Sequence, residues 1–301
     1  MPKNVPEKLH DDEGEPGEVL VRLNKYLADR GIASRRKCDE LIEKGHVMLD
    51  GVVVTQLGTK VDPTTQTVEV EGEVLKPEGV NKRYYLLNKP RGVVCTNEER
   101  ELRPRAIDLI TDPKKGRIYT VGRLDEESQG LILLTNDGEF SNFISHPRHG
   151  VPKTYWAKIR GRVDDEVIAE LKKGVFLSEG RTHADEIHIE KRATESTALS
   201  VTLREGKNRE VRRMFAKVGF KVMQLRRVRI GNLTDRFLRE GDWRPLTRAE
   251  VEDLKAVAVG ATPVDSYRGA RTRYKKGFSK ARAPKRRPGP QSGARRPRGG
   301  R

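Results

Sequence analysis

The residue with the clearest chemical potential is an aspartate in a glycine-rich segment near the middle of the chain. Asp125 lies in Gly122-Arg123-Leu124-Asp125-Glu126-Glu127-Ser128-Gln129-Gly130-Leu131, and the apolar run Ile132-Leu133-Leu134-Thr135 follows. This pattern predicts that Asp125 stands at the mouth of a sheet, two residues from the cation Arg123. A carboxylate held ionised by a cation can act as a nucleophile or a general base. Because aspartates near glycine often form turns, an acid in a surface loop is the alternative.

The sequence lacks the motifs of several other kinds of active site. It contains no Gly-x-x-x-x-Gly-Lys-Ser/Thr loop, no Gly-x-Gly-x-x-Gly after a strand pattern and no Gly-x-Ser-x-Gly elbow. Metal-ligand spacing is also absent among the six histidines and two cysteines, which are His10, His46, His146, His149, His183, His188, Cys38 and Cys95. The sequence therefore predicts chemistry without a metal ion or a nucleotide cofactor.

The chain carries a strong and uneven positive charge. Its 301 residues include 61 Lys and Arg against 44 Asp and Glu, a net charge of +17, of which +13 falls on residues 261–301. Such a field favours a polyanionic partner. A membrane is disfavoured because no run approaches ~18 apolar residues, and the acidic N-terminus is unlike a secretory signal. Two cysteines exclude a disulfide scaffold and fit a reducing cytosol, so a cytoplasmic, nucleic-acid-binding protein is predicted.

The first folded unit is predicted to be a small helix-helix-hairpin module. Leu23, Tyr26 and Leu27 have helical spacing, and Ser34 is a suitable N-cap for a second helix. Residues 47–54 are typical of two strands joined by a tight turn. Basic residues lie off the apolar stripes, namely Lys25, Arg30, Arg35, Arg36 and Lys37.

This first unit resembles the S4 RNA-binding module, through residues 22–27, 34–36 and 45–51. The resemblance implies RNA as the partner, with Lys25, Arg35, Arg36 and Lys37 as contacts. An ordinary solvated face is the alternative for these cations.

Strand and helix patterns interleave from about residue 82. Strands are predicted at 84–87, 93–96, 132–135, 153–159, 197–203 and 222–230, helices at 139–144, 164–173, 209–218 and after Thr247, and a turn at 241–246. Many of the strands are joined by turns too short for a helical crossover. The fold class is therefore predicted to be α+β, with a mixed, mainly antiparallel sheet.

Four segments are expected along the chain. They are a disordered acidic lead-in (1–18), the S4 module with its linker (19–80), a second domain (81–257) and a disordered basic tail (258–301). Both ends are rich in charge, proline and glycine and have little to bury. We expect the tail to contact RNA, because a flexible polycation finds phosphate without a fold; a solubility tail or cloning remnant is the alternative.

A series of short motifs runs in order through the second domain. They are Asn88-Lys89-Pro90-x-Gly92, Gly122-Arg123-Leu124-Asp125-x-x-Ser128-x-Gly130-Leu131, His146-Pro147, Lys153-x-Tyr155, Glu205-Gly206-Lys207-Asn208-Arg209-Glu210-Val211-Arg212-Arg213-Met214, and Leu225-x-Arg227-x-x-Ile230-Gly231. This series resembles the pseudouridine synthases of the RsuA and RluB branch. An S4 module ahead of the catalytic domain is the usual arrangement of that branch, which often has threonine where Ser128 stands.

The resemblance implies an enzyme that converts a uridine of RNA into pseudouridine. The reaction breaks the N1–C1′ bond, rotates the uracil and joins C5 to C1′, so no atom enters or leaves and no cofactor is needed. Asp125 matches the catalytic aspartate of the family. It is expected either to attack C1′ or to remove the 2′ proton, and the target nucleotide must leave its stack.

Further site residues are implied by the same resemblance. Lys207 is expected to pair with Asp125 and keep it ionised, with Arg212 as the alternative. Tyr155 is expected to lay its ring against the flipped uracil, and Leu225 to pack against the base. The RNA path is expected to include Arg123, Arg212, Arg213, Arg226 and Arg227; core packing or a solvated face is the alternative for these residues.

The expected protein is thus an S4-containing ribosomal RNA pseudouridine synthase, nearer the RluB type that acts on 23S rRNA than the RsuA type. It is expected to work as a monomer, in the cytoplasm and away from membranes. A 16S rRNA or tRNA target is one alternative. A ribosome-assembly factor that binds RNA but has lost the reaction is another.

Overall fold

A computed structural model describes residues 20–76 and 81–260 of the chain. The described residues divide into two compact units, one up to Asn81 and one from Lys82. The predictions of disorder over 1–18 and beyond residue 260 fall outside the described residues. Ala258 is the last residue of a helix, one residue beyond the predicted end of the second domain.

The first unit packs two short helices and short strands around one apolar core. Its elements are β1 (Val21–Arg22), α1 (Leu23–Asp29), α2 (Arg35–Glu43), β2 (Val47–Leu49), β3 (Val52–Val53), β4 (Lys60–Val61), β5 (Val68–Val70) and β6 (Glu73–Val74). Strand β1 pairs with β4, and the larger sheet has the order β3-β2-β5-β6. The Ser34 hydroxyl accepts a hydrogen bond from the Lys37 backbone N–H at 3.2 Å, as an N-cap does. The predicted helix-helix-hairpin arrangement is confirmed.

The second unit is built on a nine-stranded sheet with the order β13-β14-β10-β15-β9-β7-β17, in which β8 also pairs with β9 and β16 with β15. The nine strands of this sheet are β7 (Tyr84–Lys89), β8 (Tyr119–Val121), β9 (Gln129–Thr135), β10 (Lys153–Arg160), β13 (Glu186–Arg192), β14 (Ser196–Leu203), β15 (Val222–Ile230), β16 (Leu233–Thr234) and β17 (Trp243–Pro245). A separate two-stranded sheet consists of β11 (Val175–Leu177) and β12 (Gly180–Thr182). The α-helices of the second unit are α3 (Gly138–Ser145), α4 (Asp165–Lys173), α5 (Glu210–Lys217) and α6 (Arg248–Ala258).

Strand β9 joins the two halves of this sheet. One edge of β9 pairs antiparallel with β7 along its length. On the other edge, β15 runs parallel to β9 at Gln129 and Gly130, and β8 runs antiparallel at residues 133–135. The other ladders between described strands are antiparallel. The prediction of an α+β fold with a mixed, mainly antiparallel sheet is therefore confirmed.

Strands β10 and β15 present one face to the main core. Along β15, Leu225 is buried, Arg226 is exposed and Arg227 is buried, as alternation along a strand requires. Helix α5 covers this face with apolar side chains such as Val211 and Met214. Residues that alternate inward on β10 and β15 are therefore held by a rigid packed layer.

Two predictions of local structure are wrong. Residues 93–96 form no strand; Val94 makes an isolated bridge to Arg105, and the Val93 carbonyl accepts a hydrogen bond from a buried lysine ammonium at 2.8 Å in place of a ladder bond. Residues 241–246, predicted as a turn, contain β17. The proline of β17 is tolerated because this strand lies at the edge of the sheet and Pro245 is its last residue.

Gly130 is the point where β9 and β15 approach most closely. Its φ is +104°, and an added Cβ would lie 2.2 Å from the Arg227 carbonyl oxygen. We expect Gly130→Ala to lower the free energy of unfolding by roughly 3 kcal/mol or more, because the methyl group must push the two strands apart. Gly180→Ala is the matched control: its φ is +113° with no atom within 4 Å, so it should cost about 1 kcal/mol. Urea denaturation followed by circular dichroism measures both, and equal losses would contradict the prediction.

Candidate active site

The loop between β8 and β9, which carries Asp125, is tied to neighbouring segments. The Leu124 backbone N–H donates to Cys95 Sγ at 3.5 Å. The Gly92 backbone N–H donates to the Glu126 carbonyl oxygen at 2.9 Å. The side chain of Asp125 is 29% exposed. The carboxylate therefore stands at the mouth of the sheet, partly screened from water on a restrained backbone.

Asp125 pairs with an arginine that precedes α5. Arg209 Nη1 lies 3.2 Å from Asp125 Oδ2. Arg209 is the N-cap residue of α5 and has a φ of +48°, in the left-handed region that residues other than glycine rarely adopt. This backbone conformation sets the direction in which the Arg209 side chain extends from the start of α5. With 43% of the Arg209 side chain exposed, a substrate can reach the pair.

Lys207, predicted as the counter-ion of Asp125, has other partners, so that expectation is corrected. Its ammonium lies 2.7 Å from the Glu205 carboxylate and donates to the Arg181 carbonyl oxygen at 2.9 Å. Glu205 stands only two residues away in the same turn, which holds its carboxylate within reach of the ammonium. Arg209 therefore takes the position expected of Lys207.

A cavity of about 120 Å³ opens beside Asp125. Its wall brings together six residues predicted for the site, which are Arg123, Asp125, Tyr155, Lys207, Leu225 and Arg227. Tyr155 and Leu225 come from neighbouring strands β10 and β15, while Asp125 comes from the loop ahead of β9. An acid, an aromatic ring and an aliphatic side chain thus share one enclosed space.

Arg227 lies in the cavity wall but is shielded from solvent. It is 3% exposed, and its Nε donates to the Leu131 carbonyl oxygen at 2.6 Å. Its Cζ lies 6.0 Å from the centroid of the Tyr155 ring, at the edge of cation–π range. Arg227 is therefore a buried residue of the cavity wall, and its contact with RNA stays a prediction. Strand alternation points it inward beside Leu225.

The other three arginines predicted on the RNA path lie outside the cavity wall. The Arg212 side chain is nearly buried, whereas that of Arg226 is 46% exposed on the opposite face of β15 from Leu225. Their contact with RNA stays a prediction. Each is near an acid: the pairs are Arg212–Glu127 at 3.8 Å, Arg213–Glu179 at 2.8 Å and Arg226–Asp235 at 3.4 Å.

Four predicted RNA-binding cations belong to the first unit. Arg35, Arg36 and Lys37 are exposed in the first turn of α2, and Lys25 is half-buried on α1. The three exposed side chains form a compact group of positive charge, and RNA binding by this group remains a prediction.

Comparison with known proteins accounts for both units. Residues 83–217 match the RNA pseudouridylate synthase family, and residues 21–66 match the S4 domain. The chain is 42% identical over 242 residues to ribosomal large subunit pseudouridine synthase B of Bacillus subtilis, across 79% of this chain and 97% of that protein. The chain belongs to the RNA pseudouridine synthases. A synthase of the same name from Yersinia pestis is 34% identical, across 82% of this chain and 81% of its own length. A crystal structure of a pseudouridylate synthase aligns with a TM-score of 0.55 at 31% identity, across 78% of this chain and 99% of its own.

Sequence reasoning missed several residues of this synthase's cavity wall, including Ser128, Lys153, Arg209 and Glu210. Lys153 stands two residues from Tyr155, so strand alternation could have placed it on the same face. Arg209 carried no such signal, because a left-handed φ at a residue with a side chain is set by the surrounding turn.

The part of the synthase that the structure describes has no group of three or more His, Cys, Asp or Glu side chains placed to hold a metal ion. Within these same residues, no helix is long and apolar enough to cross a membrane. Cys38 and Cys95 are buried free thiols.

Two lysines of the synthase are buried close to the site. The Lys89 ammonium donates to the Val93 carbonyl oxygen at 2.8 Å, and burial lowers the pKa of Lys89 to about 8. The Lys153 ammonium donates to the Val151 carbonyl oxygen at 3.1 Å. Burial, and then the charge of Arg227, lowers the pKa of Lys153 to about 8. The folded state therefore bears the cost of holding both charges out of water.

Replacing Lys153 should stabilise the synthase at neutral pH. The gap between a pKa of about 8 and the ordinary 10.5 corresponds to roughly 3 kcal/mol. Lys153→Met should recover much of that free energy of unfolding below pH 8. Because the unfolded lysine holds its proton longer as pH rises, the wild type gains stability between pH 8 and 10.5, and the advantage of the variant should shrink there. Urea denaturation at pH 7, 9 and 10.5 measures this.

Lys158→Met is the matched control for this measurement, since Lys158 lies on the same strand but faces away from the cavity. It should leave the pH dependence of stability unchanged. A Lys153→Met variant that is less stable than wild type at pH 7 would show that the ammonium is stabilising.

Proposed function

We propose that the protein isomerises a specific uridine of ribosomal RNA to pseudouridine, with Asp125 as the reacting carboxylate and without a cofactor. The observation that carries this proposal is the shared cavity. Asp125, with Arg209 at 3.2 Å, lines the same space as Tyr155 and Leu225. A carboxylate beside a cation, with an aromatic ring and an aliphatic side chain in the same wall, suits a reaction at the sugar of a nucleotide whose base is held by stacking.

The chemistry needs one group that acts on the sugar. The N1–C1′ bond breaks, the uracil turns, C5 bonds to C1′ and loses its proton, and N1 takes up a proton. Asp125 either attacks C1′ or removes the 2′ proton, and both routes require the ionised carboxylate. On the first route the bond between Asp125 and C1′ breaks when C5 bonds there, and on the second the proton returns to C2′. Arg209, with Nη1 3.2 Å from Asp125 Oδ2, supplies the paired cation first expected of Lys207.

Tyr155 and Leu225 are proposed to hold the detached base. Stacking against a ring and contact with an aliphatic side chain restrain a base without fixing its orientation in the plane, which permits the turn from N1 to C5. The Tyr155 hydroxyl is a further candidate for moving the C5 proton. Both side chains come from packed strands, so the base meets a rigid surface.

The target uridine must leave its stack to reach this cavity, at a cost of a few kcal/mol that is least in a loop or bulge. Arg123 is exposed at the cavity wall. Its guanidinium suits either the gap left by the base or a neighbouring phosphate.

Large-subunit 23S rRNA is the target we propose. Supporting this are the relatives from Bacillus subtilis and Yersinia pestis, which are named as large-subunit synthases, together with the S4 domain and the net charge of +17. We also propose that the protein works as a monomer in the cytoplasm.

Asp125→Asn should abolish pseudouridine formation while changing RNA affinity by less than about twofold, because the amide keeps the shape but loses the charge and basicity. The assay incubates the protein with 23S, 16S and tRNA transcripts and detects carbodiimide adducts by primer extension. Glu126→Gln, the next residue, is the matched control and should retain activity.

The same assay assigns the target. A new stop on 16S rRNA or tRNA alone would replace the proposed substrate. Normal turnover by Asp125→Asn would remove Asp125 from its role. No stop on any RNA, including large-subunit assembly intermediates, would leave a binding factor.

Changing Arg35, Arg36 and Lys37 together to Ala should weaken RNA binding and lower the slope of log K against log salt concentration by roughly two to three, about one for each phosphate that is no longer neutralised. Filter binding between 50 and 300 mM KCl measures the slope. The matched control is Lys44→Ala, beyond the other end of α2, which should leave the slope unchanged. An unaltered slope in the triple variant would contradict RNA contact at this turn.

A further inference from the structure

The buried polar part of the cavity wall holds an excess of hydrogen-bond donors. Ser128, Lys153 and Arg227, together called the cavity floor, are 2%, 9% and 3% exposed. Arg227 and Lys153 both line the cavity. They come from neighbouring strands, in which Arg227 is the register partner of Tyr155 and Lys153 that of Ile230. Two cations and a hydroxyl thus line the same cavity as the ring of Tyr155, and Arg227 Cζ lies 6.0 Å from the centroid of that ring.

Several of these donors have no acceptor. Arg227 Nη2 and Ser128 Oγ are buried without a hydrogen-bond partner among residues 20–76 and 81–260. Within the same residues, the Lys153 ammonium, which has three N–H groups, makes one hydrogen bond, to the Val151 carbonyl oxygen. Unused donors at this depth indicate that something other than the chain completes them.

The one buried acid in the wall, Glu210, forms no direct ion pair with the floor cations among the described residues, although its charge partly offsets the lowering of the Lys153 pKa. Glu210 is 5% exposed, but one of its oxygens accepts from the Thr182 hydroxyl and the other accepts from the Lys207 backbone N–H at 3.1 Å. Burying a charge without a direct counter-charge costs several kcal/mol. Even with Glu210 counted, the two cations of the floor exceed the negative charge beside them. The floor is therefore suited to a ligand that carries or develops negative charge.

The proposed reaction generates such a charge. When the N1–C1′ bond breaks, its electron pair stays on N1, and the uracil departs as an anion whose charge spreads to the O2 and O4 carbonyl oxygens. The anion is discharged when C5 bonds to C1′. The C5 proton then leaves and N1 takes up a proton, so the composition of the nucleotide is unchanged. Donors fixed in advance around such a charge lower the barrier because they need not reorganise.

We propose that the cavity floor is an anion-stabilising site for the detached uracil, in which Arg227 and Lys153 bind its carbonyl oxygens and Ser128 donates a third hydrogen bond. This inference rests on the proposed function and extends it from the sugar to the leaving group. Arg227 and Lys153 thereby become catalytic residues. The competing interpretation is structural, with Arg227 serving only to tie β15 to β9 through Leu131.

The two interpretations differ in how the defect depends on the leaving group. Fluorine at C5 withdraws electrons and makes the uracil anion more stable, so 5-fluorouridine needs less help from the floor. The experiment compares single-turnover cleavage of N1–C1′ in RNA with uridine or 5-fluorouridine at the target position. The variants are Arg227→Gln, Arg227→Lys and Lys153→Met, with Lys158→Met as the control.

We expect Arg227→Gln and Lys153→Met to slow cleavage of uridine roughly 100-fold and cleavage of 5-fluorouridine about tenfold or less. Arg227→Lys, which keeps the charge, should recover part of the rate. Equal losses with the two substrates would overturn the proposal and support the structural interpretation. Lys158→Met should behave as the wild type.

Folding and the proposed function are judged separately. If Arg227→Gln fails to fold, Lys153→Met still supplies the ratio of the two substrates, because removing its buried charge is expected to stabilise the protein. Asp125→Asn is measured alongside. It should lose activity on both substrates equally, because Asp125 acts on the sugar. Activity retained in Asp125→Asn would overturn the catalytic carboxylate, while the ratio in the floor variants would still test the leaving-group site.

Discussion

The backbone contact between Gly130 and Arg227 is the constraint on which both the sheet and the site depend. Strands β9 and β15 belong to different antiparallel halves of the sheet, and they meet over two residue pairs only. The lack of a side chain at Gly130 allows that approach. The contact sets Asp125, five residues earlier, at the cavity that Tyr155 and Leu225 line. The same Arg227 that touches Gly130 through its backbone contributes its guanidinium to that cavity.

Elements with regular apolar spacing could be predicted from the sequence, because one face of each is buried in a continuous core. The strand over 222–230 and the helix after Thr247 are examples, and the latter begins with a capping box between Thr247 and Glu250. Residues 93–96 and 243–245 could not be assigned, because composition does not reveal which neighbour takes up the backbone hydrogen bonds. The α+β class followed from short connections, but the parallel contact of β9 with β15 depends on a long-range pairing.

The sequence motifs identified many residues of the site, but not which cation pairs with which acid. Arg209, Lys207 and Arg212 lie within six residues of one another, and each side chain is long enough to seek an acid. Turn geometry decided among them, with Glu205 engaging Lys207 and a left-handed backbone directing Arg209 to Asp125. The burial of Arg227 and Lys153 could not be predicted from the sequence either. Both are charged residues, and charged residues in proteins are mostly exposed.

The basic first turn of α2 affects the small unit in its own right. Three cations stand where the helix dipole is positive, with no acid in that turn, so mutual repulsion weakens this end of the helix when it is alone. An anion bound there would relieve the repulsion and would also accept hydrogen bonds from the backbone N–H groups at the start of the helix. RNA bound there, as proposed, would therefore stabilise the folded unit as well as position the substrate.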